Sequence, residues 1–327
     1  MTPRTWMFSG QGSQYLGMGR KRYATDPPFR KWLDVCDAIV GDYTGYSVKR
    51  LMEDRSKGSE NRLLELQRTN PALFAIQYAL GRSLLDGSEE SPDYLLGYSL
   101  GEYVALALAG CLRLEDGIAL VVRMAEIAES TCEEGRMLAV LAGASVVHRH
   151  PEHFEGVELA AVNTDENCVV SGTAQAVAAC AAGLRRMGVV SHELPVRYPF
   201  HSSLIEPMRE PFVRLLEGIE WRHPTVRVVS AHTARAVEWP PVMHPWRVIR
   251  CRVNFRMTVE GLERNGQPVY RDLGVSGTLA NAVGYLLSAE DSHRVRAEMT
   301  PFDDNGSTRA RPATATPGHG AVPWVGV

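Results

Sequence analysis

The chain contains no Cys-x-x-Cys pair; its six cysteines, Cys36, Cys111, Cys132, Cys168, Cys180 and Cys251, are scattered. That spacing argues against a zinc ribbon or a redox couple and for reduced thiols in a cytoplasmic protein. His148 and His150 lie close together, but neither cysteine nor acid stands at ligand spacing from them, so no metal is expected there. They read as a polar turn before Pro151. Excess positive charge is missing too: the net charge is −3, which leaves no basic footprint for nucleic acid. The longest apolar runs, such as Val104–Leu112, reach only about ten residues, too few for a bilayer, so no membrane partner is expected. Met1-Thr2-Pro3-Arg4-Thr5 runs straight into a strand-like Trp6-Met7-Phe8 without a signal-peptide core. The glycine-rich loop Ser9-Gly10-Gln11-Gly12-Ser13-Gln14 lacks the Gly-Lys-Ser/Thr of a phosphate loop. No internal repeat is visible.

What is present is an ordinary folding composition, 45% hydrophobic and 22% charged. At 327 residues the chain is long enough for one large domain or two. It is organised around Leu95-Leu96-Gly97-Tyr98-Ser99-Leu100-Gly101-Glu102-Tyr103: an apolar run, a Gly-x-Ser-x-Gly, and a run fit for a helix. Strand, sharp turn and helix in that order present a serine on a strained turn, its Oγ above a sheet. Gly97 and Gly101 let strand and helix approach, and the helix N-terminus supplies amides and a positive dipole end for a developing oxyanion. The bare pattern also arises by chance in a chain with 29 glycines. The flanking strand and helix are what make Ser99 a candidate nucleophile.

The loop around Gln11 is either a plain βα turn or one that aims the Gln11 N–H at the serine as a second oxyanion donor. Residues 20–90 read as helical, with apolar stripes through Trp32, Leu33, Val35 and Val40 and through Leu73, Ile76, Gln77, Leu80 and Leu84. The second stripe is expected to start at Thr69-Asn70-Pro71, proline just inside the helix. Helices follow the elbow over 102–110 and from Asp116 to Cys132. From Glu133 the texture changes. Strands over 137–142, 157–162, 168–171 and 189–196, with helical segments before 154 and over 173–187, give the βαββαβ order of a ferredoxin-like unit. The expected class is α/β: a core from 1–132 plus 197–300, with 133–196 inserted as a small subdomain. His201, just past a proline and before a helix over 204–217, is the best of ten histidines for a general base. Arg247, Arg250, Arg252 and Arg256 form either a solvated face or a docking surface for an acidic partner. The tail 301–327, poor in apolar residues and rich in proline, glycine and threonine, is expected to be disordered.

Taken in order, Phe8-Ser9-Gly10-Gln11-Gly12-Ser13-Gln14, Asn70-Pro71-Ala72-Leu73, Gly97-Tyr98-Ser99-Leu100-Gly101-Glu102-Tyr103, Ala161-Val162-Asn163, Phe200-His201-Ser202 and Gly274-Val275-Ser276-Gly277 resemble the malonyl-CoA:acyl-carrier-protein transacylase family. That family includes the acyltransferase domains of polyketide and fatty-acid synthases. The resemblance covers residues 5–290 and implies an α/β-hydrolase-like parallel-sheet core with an inserted ferredoxin-like subdomain. It implies Ser99 as nucleophile, His201 as base, and an oxyanion hole from the backbone N–H groups of Gln11 and Leu100. A backbone carbonyl near Val248, in place of a carboxylate, would orient the histidine, so the pair would be a dyad. Met124, Asn163, Phe200, Tyr98 and Asn70 are the residues expected around the substrate, Tyr98 and Asn70 standing where the family usually has His and Gln. The implied partner is an acyl carrier protein, or acyl-CoA, with Arg247, Arg250 and Arg252 as the docking candidates. No cofactor is implied beyond the substrate's phosphopantetheine arm, and a monomer is expected.

The departure with most consequence is Met124, at the position where malonyl- and methylmalonyl-specific members carry an arginine for the substrate's free carboxylate. Arg123 is adjacent, but one residue on a helix is a turn of ~100°. Removing one member of a buried ion pair costs ~3–5 kcal/mol, roughly a thousandfold in kcat/KM at ~1.4 kcal/mol per decade. A methionine offers an apolar, adaptable wall instead, so uncharged acyl groups are expected to be preferred over malonyl. Four readings stay open. The foremost is an editing acyl hydrolase that frees acyl groups from carrier proteins in a polyketide pathway. The stand-alone chain, the missing arginine and Tyr198-Pro199-Phe200-His201-Ser202-Ser203 resemble that group. The others are a transferase for an uncharged acyl group, a malonyl transacylase in which Arg123 reaches the pocket, and an inactive binding member. The intact Ser99, His201 and Gln11 loop argue against the last.

Overall fold

The computed structural model describes residues 2–304, apart from 55, 57, 58, 88–90, 240 and 242. The N-terminal half runs β1 (Arg4–Phe8), α1 (Arg20–Thr25), α2 (Pro27–Thr44), α3 (Val48–Glu53), α4 (Ser59–Arg62), α5 (Leu66–Gly87), β2 (Tyr94–Gly97), α6 (Gly101–Leu108) and α7 (Leu114–Thr131). A middle section follows: β3 (Gly135–Val140), α8 (Ser145–Arg149), β4 (Val157–Thr164), β5 (Asn167–Thr173), α9 (Ala174–Arg186) and β6 (Ser191–Glu193). The chain then forms α10 (Arg209–Glu217), β7 (Arg227–Ser230), β8 (Arg235–Ala236), α11 (His244–Arg250) and α12 (Phe255–Arg264). It ends with β9 (Val269–Asp272), α13 (Thr278–Leu286), β10 (Val295–Ala297) and α14 (Pro301–Asp304).

Among the described residues the larger sheet has the order β10-β9-β1-β2-β7-β8, parallel except for β8. A parallel sheet is covered on both faces, so its strands read as unbroken apolar runs; Trp6, Met7, Phe8, Leu95 and Leu96 are all buried. The register pairs Phe8 with Gly97. The carboxyl ends of β1 and β2 therefore release the Gln11 loop and the Ser99 turn side by side, in the crevice where open α/β sheets place their ligands.

α5 packs against α2, α6 and α7 and is buried on every side from Thr69 to Gly81. It begins at Leu66, one turn before the expected start, so Pro71 lies inside the helix. A proline there donates nothing to the carbonyl four residues back. That carbonyl, on Gln67, accepts the Tyr46 hydroxyl instead.

The second sheet is antiparallel with the order β4-β5-β3-β6, which is the ferredoxin-like arrangement. Alternation along β3 and β5 divides their side chains between two cores. Leu138, Val140, Cys168 and Val170 join Val177, Cys180 and Leu184 of α9 in a small cluster of their own. Met137, Ala139 and Val169 face the other way and belong to the main core. Val253 ties β4 to the body, donating to the Ala160 carbonyl and accepting from the Val162 N–H, both at 2.9 Å.

The helix expected over 204–217 is split. Ser203–Met208 is a 3₁₀ turn containing Pro207, and regular α-helix begins at Arg209. β6 is only Ser191–Glu193, against the strand expected over 189–196. The expected tail starts as a short helix, α14, rather than as disorder; 305–327, and with them the rest of that expectation, lie outside the described residues. No helix among the described residues is long and apolar enough to cross a membrane.

Candidate active site

Ser99 occupies the turn between β2 and α6 with φ 52°, a left-handed conformation that non-glycine residues avoid. The surrounding glycines show what holds it there. A Cβ on Gly97 would stand 2.1 Å from the Glu102 Cα, and one on Gly101 would stand 2.1 Å from the Phe8 carbonyl oxygen. The turn can exist only if both positions lack a side chain. Gly10, in the neighbouring loop, comes so near that its Cβ would lie 3.0 Å from the Ser99 Cβ.

Ser99 Oγ lies 2.9 Å from His201 Nε2. The other ring nitrogen, Nδ1, lies 2.8 Å from the Cys251 carbonyl oxygen. A carbonyl can only accept, so in the neutral ring the proton sits on Nδ1 and the Nε2 lone pair faces the serine hydroxyl. The carbonyl belongs to Cys251, three residues on from Val248, near which it is expected; α11 ends at Arg250 and Cys251 follows it directly. The His201 N–H also donates to the Ile249 carbonyl at 2.8 Å, and His201 itself has φ 61°. Burial pulls the imidazole pKa down to about 4; the bond to Cys251 opposes the shift and His232 adds to it. The base is thus neutral and able to accept a proton at ordinary pH.

The Gln11 loop is fastened from below by α5. Gln77, fully buried, accepts from the Ser9 N–H at 2.7 Å and donates to the Ser9 carbonyl at 3.0 Å. Two helical turns earlier, Asn70 accepts from the Gln11 side-chain amide. Ser13 Oγ closes the loop on the Gly10 carbonyl at 2.7 Å. Gln14 joins it to the small subdomain through the Pro195 carbonyl at 3.0 Å.

Beside the serine and histidine is a narrow cavity of about 20 Å³, lined by Gln11, Tyr98, Ser99, Met137, Ala161, Val169, Leu194, Val196, Phe200 and His201. His201 is the one titratable group in this lining besides the Tyr98 phenol, whose pKa burial pushes far up. Larger, open hollows around Tyr46 and Arg68 contain neither Ser99 nor His201.

A strained serine on a strand–helix turn, a histidine on its Oγ and a backbone-held imidazole have the arrangement of a nucleophile and its base. The family model of the acyl transferase domain matches residues 5–262. The chain belongs to the acyl transferase domain family. It is 36% identical over 301 residues to the polyketide biosynthesis acyltransferase homolog BaeD of Bacillus velezensis, covering 92% of each chain. It is 32% identical over 300 residues to the homolog PksD of Bacillus subtilis, again with 92% of each covered. The crystal structure of a malonyl CoA-acyl carrier protein transacylase from Burkholderia pseudomallei superposes with a TM-score of 0.77 at 29% identity, covering 88% of this chain and 98% of that one.

Within this acyl transferase fold the expected substrate residues separate into two groups. Tyr98 and Phe200 line the cavity. Met124, Asn163 and Asn70 do not: Met124 is 1% exposed within the main core, Asn70 holds the Gln11 loop, and Asn163 is enclosed by polar partners. The Tyr98 hydroxyl donates to Asn163 Oδ1 at 2.9 Å, and Asn163 Nδ2 donates to Asn167 Oδ1 at 2.7 Å. Arg123 pairs with Glu126 at 2.6 Å and is half exposed, so it points into solvent and away from the cavity. Of the expected docking arginines, Arg250 pairs with Glu206 at 2.9 Å and Arg252 donates to Asn254, while Arg247 is exposed on α11. Sequence reading missed most of the cavity wall, because Met137, Ala161, Val169, Leu194 and Val196 are ordinary apolar residues of the small subdomain. It counted Gln77 within an apolar stripe; a glutamine in such a stripe was the available signal that the helix grips something polar.

Proposed function

We propose that the protein takes uncharged acyl groups from carrier-protein thioesters, as part of polyketide biosynthesis, through an acyl-Ser99 intermediate that water then hydrolyses. His201 removes the Ser99 proton as Oγ attacks the thioester carbonyl. The N–H groups of Leu100 and Gln11 hold the oxyanion, and the protonated histidine returns its proton to the departing thiol. The same histidine then activates the water that cleaves the ester. The phosphopantetheine thiol belongs to the substrate. The observation that carries this reading is the cavity beside Ser99, walled by apolar side chains and without a cation to pair a malonyl carboxylate. A carboxylate enclosed there would lack the partner that makes its burial tolerable.

The names of the similar proteins, acyltransferase homologs and a transacylase, favour a second reading in which the acyl group passes to another carrier thiol. Acetyl-, butyryl- and malonyl-carrier protein, followed by intact-protein mass for both free acid and transfer to a second carrier, separate the two. Free butyrate without transfer supports hydrolysis and butyryl transfer supports the second reading. Fast malonyl turnover would overturn the preference for uncharged groups.

A further inference from the structure

We infer that the buried Glu102–His244 pair is a positioning device for the catalytic histidine, fixing helix α11 against the helix that begins at the nucleophile. The inference rests on reading Ser99 and His201 as a catalytic pair. His201 has no carboxylate behind it, and its ring and backbone are set by the carbonyls of Cys251 and Ile249 at the end of α11. The imidazole therefore goes where α11 goes. α11 is a short helix, and its first two residues are both fastened to α6. The His244 imidazole Nε2 meets a Glu102 carboxylate oxygen, and the Tyr103 hydroxyl donates to the Pro245 carbonyl at 2.8 Å.

Glu102 in turn belongs to the nucleophile turn: its N–H donates to the Ser99 carbonyl at 2.9 Å. Its second carboxylate oxygen accepts the Ser230 hydroxyl at 2.8 Å, at the end of β7 beside β2. The contacts close a ring. It runs from Ser99 to Glu102, across to His244, along α11 to Cys251, through His201 and back to Ser99 Oγ. The carboxylate is 1% exposed and His244 13%, so a charge at this depth is held only because both oxygens are engaged. Arg247 on the next turn of α11 and Glu238 also act on His244. Burial works to lower its pKa, but the charge and hydrogen bond of Glu102 outweigh it and raise the value. The charged pair is favoured in the folded protein and loosens as the pH rises through the folded His244 pKa.

Serine-directed fluorophosphonate labelling tests this, because it depends on activation of Ser99 and not on the natural acyl group. Wild type, Glu102→Gln, His244→Gln and the double variant are compared below their melting temperatures, with Ser99→Ala as blank. Each single variant should label on the order of tenfold to a hundredfold more slowly, as expected for a base misplaced by a fraction of an ångström. Half-saturation by the probe should be unchanged, and the double variant, with two amides that can hydrogen-bond, should regain part of the rate. The wild-type rate should fall on the alkaline side and that of the double variant should not. Equal rates in wild type and folded single variants would overturn the inference, as would a loss that only tracks the unfolded fraction. If the single variants fail to fold, the double variant and the wild-type alkaline limb decide. Normal labelling without thioester turnover would count against the acyl-carrier reading and leave this one standing.

Discussion

Ser99 and His201 are both non-glycine residues with left-handed backbones, each at a cost of ~1–3 kcal/mol. The strain persists because neighbours over-determine it: bare glycines around Ser99, and the Ile249 and Cys251 carbonyls around His201. Ser99→Ala should abolish acyl-enzyme formation, read by intact mass; a surviving covalent adduct would refute the mechanism. The depressed His201 pKa makes two further predictions. Acylation, followed as kcat/KM, should persist below the usual histidine range and fall only as the pH drops through about 4. Stability has the corresponding sign. The unfolded chain binds the proton first, so folding free energy is full above ~6.5 and declines by roughly 3 kcal/mol towards the folded pKa. Denaturant melts across that range check it. Met124→Arg places a charge in the apolar core at a position that does not line the cavity, and should lower stability by several kcal/mol without gaining malonyl turnover. A stable variant that turns over malonyl would show that position 124 does face the substrate.

Among the elements, α5 connects core and chemistry most directly. Its apolar surround was visible as a sequence stripe, but its contribution to the site comes from two polar residues on that helix, Asn70 and Gln77. Gln77→Leu should leave the Ser9 N–H and carbonyl buried without partners, at ~1–3 kcal/mol for each group. It should also lower kcat more than it raises KM, because the loop that would carry the oxyanion donor is released. Thermal melts and single-turnover acylation read the two effects; unchanged acylation would mean the loop holds itself. The small sheet shows the other use of an element. One face packs on α9 and the opposite face walls the cavity beside Ser99, a division set by strand alternation alone.

On the scale of the whole molecule, the proposed function places substrate choice at the cavity between the two sheets. Val169→Phe should fill the cavity and shift preference from butyryl towards acetyl, at ~1–3 kcal/mol of stability for overpacking. Competition between the two acyl carriers measures it, and an unchanged ratio would place the acyl chain elsewhere. On the outer surface, Arg252→Glu should raise KM for carrier protein and weaken its salt dependence while kcat holds. Arg250→Glu additionally sets two acids against each other at Glu206. No change in KM for either variant would return these arginines to a solvated face.

The sequence by itself determined the nucleophile turn, the βαββαβ unit and the pairing of Ser99 with His201 as candidates. Each of these is written in local order: glycine spacing, a strand before and a helix after, alternating apolar residues. Tertiary structure alone decided the rest. That the Cys251 carbonyl holds the His201 ring depends on where α11 ends, and that Met124 is buried without lining the cavity depends on what packs against the inward face of α7. That Met137, Val169 and Leu194 wall the cavity beside Ser99 depends on how one sheet lies over the other. The physical reason is common to all three: carbonyls and aliphatic side chains are chemically alike along a chain, and only their placement in space gives them a role.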